Sequence, residues 1–192
     1  QVSVSKGNIK QSARSIDQLQ NDLYGYVNSQ IKTQSLIDVS VFVQDLVNNE
    51  TILINNDKTY RPASLLKIFV MLDILKQAEK NPSLLQQKLL YAQSIAPLAQ
   101  NITFTPMPIG KNYTINELLE YMIGSSDNDA MYLLYDYTKK HQINHSELDF
   151  NIHVPADNKD YLKTEAFMPV LAALYKHSYL NESFSQENHY AL

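Results

Sequence analysis

The sequence predicts an α+β protein with a mostly helical domain, an N-terminal helix and a β-hairpin. Apolar residues recur at helical spacing over residues 16–31. Two β-branched runs, at 39–46 and 51–54, are separated near Asn48-Asn49, which is typical of a hairpin. A nearly continuous apolar stretch follows Ser64 and predicts a buried helix, because a helix that is hydrophobic on all faces belongs in a core.

The segments after Ser64 are predicted as helix, short helix and loop. The Ser64 helix should end at about residue 80, because Asn81-Pro82 cannot continue it. Residues 84–91 have the pattern of a short helix. Residues 95–113 contain three prolines and a glycine and predict a loop.

The second half of the chain is predicted to be helical around one irregular region. Thr114 and Glu117 fit a capping box at the start of a helix that ends at Gly124. Residues 141–163 are polar and irregular. Amphipathic patterns predict three further helices, over residues 130–137, 165–177 and 185–192.

Composition excludes several classes of function. The formal net charge is −4 without a basic block, so no nucleic-acid partner is predicted. The chain has no cysteine, which excludes disulfides and thiolate zinc sites, and only four glycines, too few for a phosphate-binding loop. His141 and His145 have a metal-compatible spacing but no matching acidic partner. We therefore predict neither a metal nor a cofactor.

A serine three residues before a lysine, Ser64 and Lys67, is a candidate nucleophile with its base. Both side chains would lie on one face of a helix, one turn apart. The pattern alone is weak, because Ser3 and Ser29 also begin Ser-x-x-Lys segments. Only the Ser64 copy opens an apolar helix. The simpler alternative is a capping serine with a lysine that extends to solvent.

The tripeptide Ser126-Asp127-Asn128 favours the catalytic interpretation. It is expected by chance in only about a few per cent of chains this long, and it follows Ser64 after about 60 residues. Ser-x-x-Lys and Ser-Asp-Asn are two of the three motifs of class A β-lactamases and penicillin-binding proteins. In these motifs, their spacing and the order of elements, residues 15–192 resemble the class A β-lactamase-like, penicillin-recognising serine hydrolases.

The resemblance implies a role for each residue of the two motifs. Ser64 would be the acylated nucleophile, with its amide as one oxyanion donor, and Lys67 its base or proton relay. Ser126 would deliver the proton to the leaving nitrogen. Asn128 would bind the substrate amide and orient Lys67, whereas Asp127 would be structural.

Two departures from the family pattern limit this expectation. No Glu-x-x-Leu-Asn follows the Ser-Asp-Asn motif, and the residues after Glu147 do not match it, so the acyl-enzyme should persist. Lys-Thr-Gly is also absent, since Lys163-Thr164 is followed by glutamate. The resemblance places that strand beyond Leu192. It implies a C-terminally truncated chain that lacks the remaining sheet strands and would be inactive or very weak by itself.

The polar composition of residues 1–14 and the resemblance of residues 15–192 together predict a division of the chain into four parts. Residues 1–14 would be a flexible tail or tether, and residues 15–60 the N-terminal helix and hairpin of an α/β subdomain. Residues 61–164 would form the helical domain with the motifs. Residues 165–192 would form C-terminal helices that return to the α/β subdomain.

The expected function is a slowly deacylating serine hydrolase that forms an acyl-enzyme with β-lactams or D-alanyl peptides of peptidoglycan. The alternatives are a non-catalytic cell-envelope binding or scaffold domain and a D-alanyl carboxypeptidase. The resemblance implies an extracytoplasmic location with peripheral envelope association. An exposed sheet edge would favour a dimer.

Overall fold

The computed structural model describes residues 15–94, 107–143, 146–152 and 162–186. The chain divides into two compact units. The first contains the residues up to Lys58 together with Lys163–Glu165, and the second contains Thr59–Leu162 and the residues from Ala166 onward. The predicted tail, residues 1–14, lies outside the described residues.

The first unit is a helix packed on a β-hairpin. Ser15 begins the helix through a capping box, in which its hydroxyl accepts from Gln18 and the Gln18 side chain accepts in return. The two strands are antiparallel, with Val41 opposite Ile54, so the predicted hairpin is confirmed. Val27, Ile52 and Ile54 form the buried core. The elements are α1 (Ile16–Lys32), β1 (Val41–Gln44) and β2 (Thr51–Ile54).

The second unit is mostly helical and contains the candidate site. Its helices are α2 (Lys67–Ala78), α3 (Ile115–Gly124), α4 (Asn128–Lys140), α5 (Ser146–Asp149), α6 (Met168–Tyr175) and α7 (Glu182–Gln186). Its strands are β3 (Thr59–Tyr60), β4 (Lys88–Tyr91) and β5 (Lys111–Thr114), and β6 (Leu162–Lys163) lies where the two units divide. In the part of the chain that the structure describes, no helix is long and apolar enough to cross a bilayer.

Helix α2 is the centre of the second unit. Every residue from Lys67 to Leu75 is buried, which confirms the prediction of a helix that is enclosed on all faces. Helices α3 and α4 pack on it and on each other. The predicted capping box of α3 is confirmed, because the Glu117 amide donates to Thr114 Oγ1 (3.1 Å) and the Glu117 carboxylate accepts from the Thr114 amide (2.7 Å).

Replacing Leu72 by alanine should destabilise this unit strongly. Leu72 is fully buried in α2, so the change leaves a cavity among packed side chains. We expect the free energy of unfolding to fall by about 2–5 kcal/mol, measured by chemical denaturation. Leu90→Ala is the control, because Leu90 is 55% exposed, and it should cost no more than about 0.5 kcal/mol. Equal losses in the two variants would contradict this view of the core.

The predicted short helix at residues 84–91 is wrong. A 3₁₀ turn over Pro82–Gln86 leads into β4, which pairs antiparallel with β5. The predicted loop at 95–113 is correspondingly wrong from Lys111 onward, and residues 95–106 lie outside the described residues. Tyr91 pairs with Lys111, a partner distant in sequence. Local periodicity could not reveal this pairing, because strand hydrogen bonds depend on the partner strand.

The return of the C-terminal helices to the N-terminal subdomain stays a prediction. The described residues 166–186 group with the second unit. The reason is burial: Phe167 and Val170 lie in the core of the second unit, and the rings of Phe69 and Phe167 are 5.7 Å apart. The predicted helix at 165–177 is a 3₁₀ turn followed by α6. Residues 187–192 of the last predicted helix lie outside the described residues.

Candidate active site

Ser64 and Lys67 lie where a 3₁₀ turn changes into an α-helix. The turn covers Ala63–Leu66, and the α-helix itself begins only at Lys67. The prediction that Ser64 opens the buried helix is therefore corrected by one turn. Ser64 is exposed, whereas Lys67 is only 5% exposed. The result is an accessible hydroxyl beside a buried amine.

The Ser126-Asp127-Asn128 motif joins α3 to α4: Ser126 and Asp127 lie in the connecting turn, and Asn128 is the first residue of α4. Asp127 caps α4, and its carboxylate accepts from the Ala130 amide at 2.9 Å. The Asp127 amide donates to the Tyr121 carbonyl of α3 at 3.0 Å. These contacts hold both ends of the turn, so Asp127 ties the turn to neighbouring backbone.

The structure brings all four predicted site residues together. Lys67 Nζ lies 2.8 Å from Ser126 Oγ, 2.5 Å from the Ser126 carbonyl oxygen and 2.9 Å from Asn128 Oδ1. Ser126 Oγ lies 3.1 Å from Ser64 Oγ, in a hydrogen bond that either hydroxyl can donate. Among the described hydrogen bonds, Ser126 thus links Ser64 to Lys67.

Burial changes the acid–base behaviour of Lys67. Loss of solvation lowers the pKa of the Lys67 amine, and the nearby Asp127 carboxylate opposes this by favouring the ammonium form. Burial has the larger influence. At a given pH, Lys67 is therefore neutral in a larger fraction of molecules than a solvated lysine, as a proton acceptor requires.

Two non-glycine residues at the site have left-handed backbone. Ala63, directly before Ser64, has φ 48°, and Ser126 has φ 51°. Such conformations cost about 1–3 kcal/mol each and persist only where surrounding contacts impose them. The Ser64 hydroxyl therefore follows a residue with strained backbone, and the Ser126 hydroxyl belongs to one. The surrounding fold must stabilise both backbone conformations.

The remaining candidates from the sequence are Glu147, His145 and His141. The Glu147 side chain and His145 lie outside what the structure describes. His141 stacks on the ring of Tyr137 at 4.2 Å. Across residues 15–94, 107–143, 146–152 and 162–186, no group of three His, Asp or Glu side chains could hold a metal.

Asp129 was not among the predicted site residues, although it is only 5% exposed and lies directly after the motif. Its carboxylate accepts hydrogen bonds from Tyr91 and Ser94. A second acidic residue in the first turn of a helix was a visible signal. Nothing local in the sequence, however, indicated partners more than thirty residues earlier.

Comparison with known proteins gives the family. The model of the β-lactamase enzyme family matches residues 22–188. The chain belongs to this family. A comparison with curated protein sequences gave no match.

Solved structures of β-lactamase-like proteins share the fold. A β-lactamase from Xanthomonas campestris has a TM-score of 0.69 at 15% identity, over 89% of this chain and 67% of its own. A β-lactamase from Chitinophaga pinensis has a TM-score of 0.67 at 18% identity, over 86% of this chain and 67% of its own. A PBP-A variant, solved as an acyl-enzyme complex with penicillin G, has a TM-score of 0.66 at 15% identity, over 86% of this chain and 66% of its own. The predicted α+β, β-lactamase-like fold is confirmed, and the chain spans about two thirds of these structures.

Proposed function

We propose that the protein is a serine hydrolase whose Ser64 is acylated by β-lactams or by D-alanyl peptides of peptidoglycan. The observation that carries the proposal is the Ser126 hydroxyl, which lies 3.1 Å from Ser64 Oγ and 2.8 Å from Lys67 Nζ. A purely structural turn has no need for a buried amine at this point. A proton that leaves Ser64 has a continuous path to that amine.

The hydrogen-bond partners of Lys67 suit the neutral amine. Its two N–H groups can donate to the Ser126 carbonyl and to Asn128 Oδ1, at 2.5 and 2.9 Å. Its lone pair then accepts from the Ser126 hydroxyl, which in turn accepts from Ser64. When Lys67 takes the proton, all three N–H groups donate to the same three oxygens. The site therefore accommodates both protonation states without losing a contact.

The acylation step follows from this proton path. Ser64 Oγ attacks the carbonyl carbon of the substrate, and its proton passes through Ser126 to Lys67. The tetrahedral intermediate collapses with cleavage of the carbon–nitrogen bond. The leaving nitrogen takes a proton from Ser126, which Lys67 replenishes. The products are an ester on Ser64 and an amine, so protons and electrons balance.

Asn128 and the Ser64 amide would hold the substrate during this step. The Oδ1 atom of Asn128 accepts from Lys67, so its amide nitrogen is the group that remains to donate to a substrate carbonyl. The Ser64 amide at the start of the turn would stabilise the oxyanion. Both roles follow the resemblance of the motifs.

Deacylation is proposed to be slow. It needs a base that activates water, and Glu-x-x-Leu-Asn is absent after the Ser-Asp-Asn motif. The acyl group would therefore remain on Ser64 for longer than in a rapid β-lactamase. The second candidate is a D-alanyl carboxypeptidase, which would hydrolyse its acyl-enzyme without a class A glutamate. An extracytoplasmic location, envelope association and a dimer through an exposed sheet edge remain proposals.

Time-resolved labelling of the full-length protein tests this function. The protein is incubated with a fluorescent penicillin, and intact mass is recorded during labelling and after removal of free reagent. We expect one adduct per molecule, with a half-life of many minutes. Turnover within seconds would contradict slow deacylation. No adduct, and no release of D-alanine from a D-alanyl-D-alanine peptide, would instead identify a non-catalytic domain.

A further inference from the structure

Asp129 is a buried carboxylate one residue beyond Asn128, with no role in either motif. It lies in the first turn of α4 and is 5% exposed. Its Oδ2 atom accepts from the Tyr91 hydroxyl at 2.8 Å and from Ser94 Oγ at 2.9 Å. Burial of a carboxylate is costly unless hydrogen bonds compensate it. The two hydroxyls therefore fix where the first turn of α4 can lie.

Tyr91 is itself held firmly. It ends β4, where it pairs with Lys111, and its carbonyl accepts from the Gly110 amide at 2.7 Å. Its ring meets Tyr113 edge-on, with centroids 6.5 Å apart. Burial, reinforced by the hydrogen bond to Asp129, raises the pKa of Tyr91 to about 12, so its hydroxyl remains a donor at physiological pH.

Ring contacts also connect Tyr91 to the α3 end of the turn that carries Ser126. The Tyr113 ring also meets Tyr121 edge-on at 5.8 Å. The Tyr121 carbonyl accepts from the Ser125 amide at 3.1 Å and from the Asp127 amide at 3.0 Å. The turn that carries Ser126 is thus held from α3 on one side and from β4, through Asp129, on the other.

We propose that Tyr91 and Asp129 are positioning residues, whose hydrogen bond fixes the start of α4 and so holds Ser126 and Asn128 against Lys67. Neither residue touches Ser64 or Lys67 in the described contacts. The left-handed backbone of Ser126 needs such restraint on both sides. The kinetic part of the proposal rests on the proposed acylation of Ser64.

Removing the Tyr91 hydroxyl tests the proposal against a matched control. The control is Tyr137→Phe, because Tyr137 is also buried and its hydroxyl donates to Gln87 at 2.8 Å, away from the motif. In the full-length protein, Tyr91→Phe should slow the acylation step by about 10-fold or more, with little change in penicillin binding before that step. Tyr137→Phe should change the rate by less than about 2-fold. Equal losses in both variants would overturn the proposal.

A milder pair of variants guards against loss of folding. Ser94 is exposed, so Ser94→Ala should fold, and it removes one of the hydroxyl donors to Asp129. Ser83→Ala is its control, since exposed Ser83 donates to Asn81 at 2.7 Å. Ser94→Ala should slow acylation by about 3-fold and Ser83→Ala not at all. An unchanged rate in Ser94→Ala would count against the proposal.

A measurement that needs no catalysis tests the positioning role separately from the proposed acylation of Ser64. The pKa of Lys67 can be measured by NMR titration of its side chain, assigned with Lys67→Met. If Tyr91→Phe loosens the turn, water reaches Lys67 and its pKa should rise by about 0.5 or more, whereas Tyr137→Phe should leave it unchanged. No rise would refute the positioning role. If the wild type is never acylated, the proposed function fails, and this titration still decides the positioning role.

Discussion

Replacing Ser64 by alanine should abolish covalent labelling by penicillin. The change removes the attacking oxygen, and the Ser126 hydroxyl, although near Lys67, is not part of the 3₁₀ turn Ala63–Leu66, whose Ser64 amide is the expected oxyanion donor. We expect a loss of at least about 10³-fold in the labelling rate of the full-length protein. Because Ser64 is exposed, stability should change by no more than about 0.5 kcal/mol.

Another Ser-x-x-Lys segment of the same chain supplies the control. Ser29 is exposed on α1, where its hydroxyl donates to the Tyr26 carbonyl at 2.7 Å. Ser29→Ala should label as fast as the wild type. Undiminished labelling of Ser64→Ala would mean that another residue is the nucleophile.

Replacing Lys67 by methionine should slow acylation by about 10²–10⁴-fold, the usual contribution of a positioned base. Methionine fills much of the same space but cannot accept the Ser64 proton. The change also leaves the Ser126 carbonyl and Asn128 Oδ1 without their donor. Thermal unfolding measured alongside separates this structural cost from the kinetic loss. Lys32→Met, at an exposed position of α1, should match the wild type.

The acylation rate should rise with pH if Lys67 is the base. Only neutral Lys67 can accept the proton, so the rate should rise with pH and level off above the pKa of Lys67. Burial lowers that pKa, so the midpoint should lie below the ordinary lysine value of about 10.4. Lys67→Met should lose this rise. A wild-type rate that falls as pH increases through this range would contradict the role of Lys67 as base.

Elements defined by neighbouring residues were predicted correctly. The α1 helix, the β1–β2 hairpin and the capping box of α3 each depend on residues close in sequence. The strand β4 was mistaken for a helix because its partner β5 lies about twenty residues later. The buried positions of Phe167 and Val170 were not predicted, because they depend on the whole core of the second unit.

At the candidate site, too, the sequence motifs were predictable, whereas contacts between distant segments were not. Only the resemblance that links two motifs predicted the site residues Ser64, Lys67, Ser126 and Asn128. The structure brings these side chains together. The delayed start of α2 was not predicted, since a short apolar sequence suits a 3₁₀ turn as well as an α-helix. The Tyr91–Asp129 hydrogen bond joins the end of a strand to the start of a helix, and no periodic pattern in the sequence predicts such a contact.

The central claim is that Ser64 is the residue that penicillin acylates. It is tested most directly by incubating the full-length protein with penicillin, digesting it and measuring the masses of the resulting peptides. We expect the penicilloyl mass on the peptide that contains Ser64, with fragmentation assigning it to that hydroxyl. An unmodified Ser64 peptide, or an adduct on Ser126 instead, would contradict the claim.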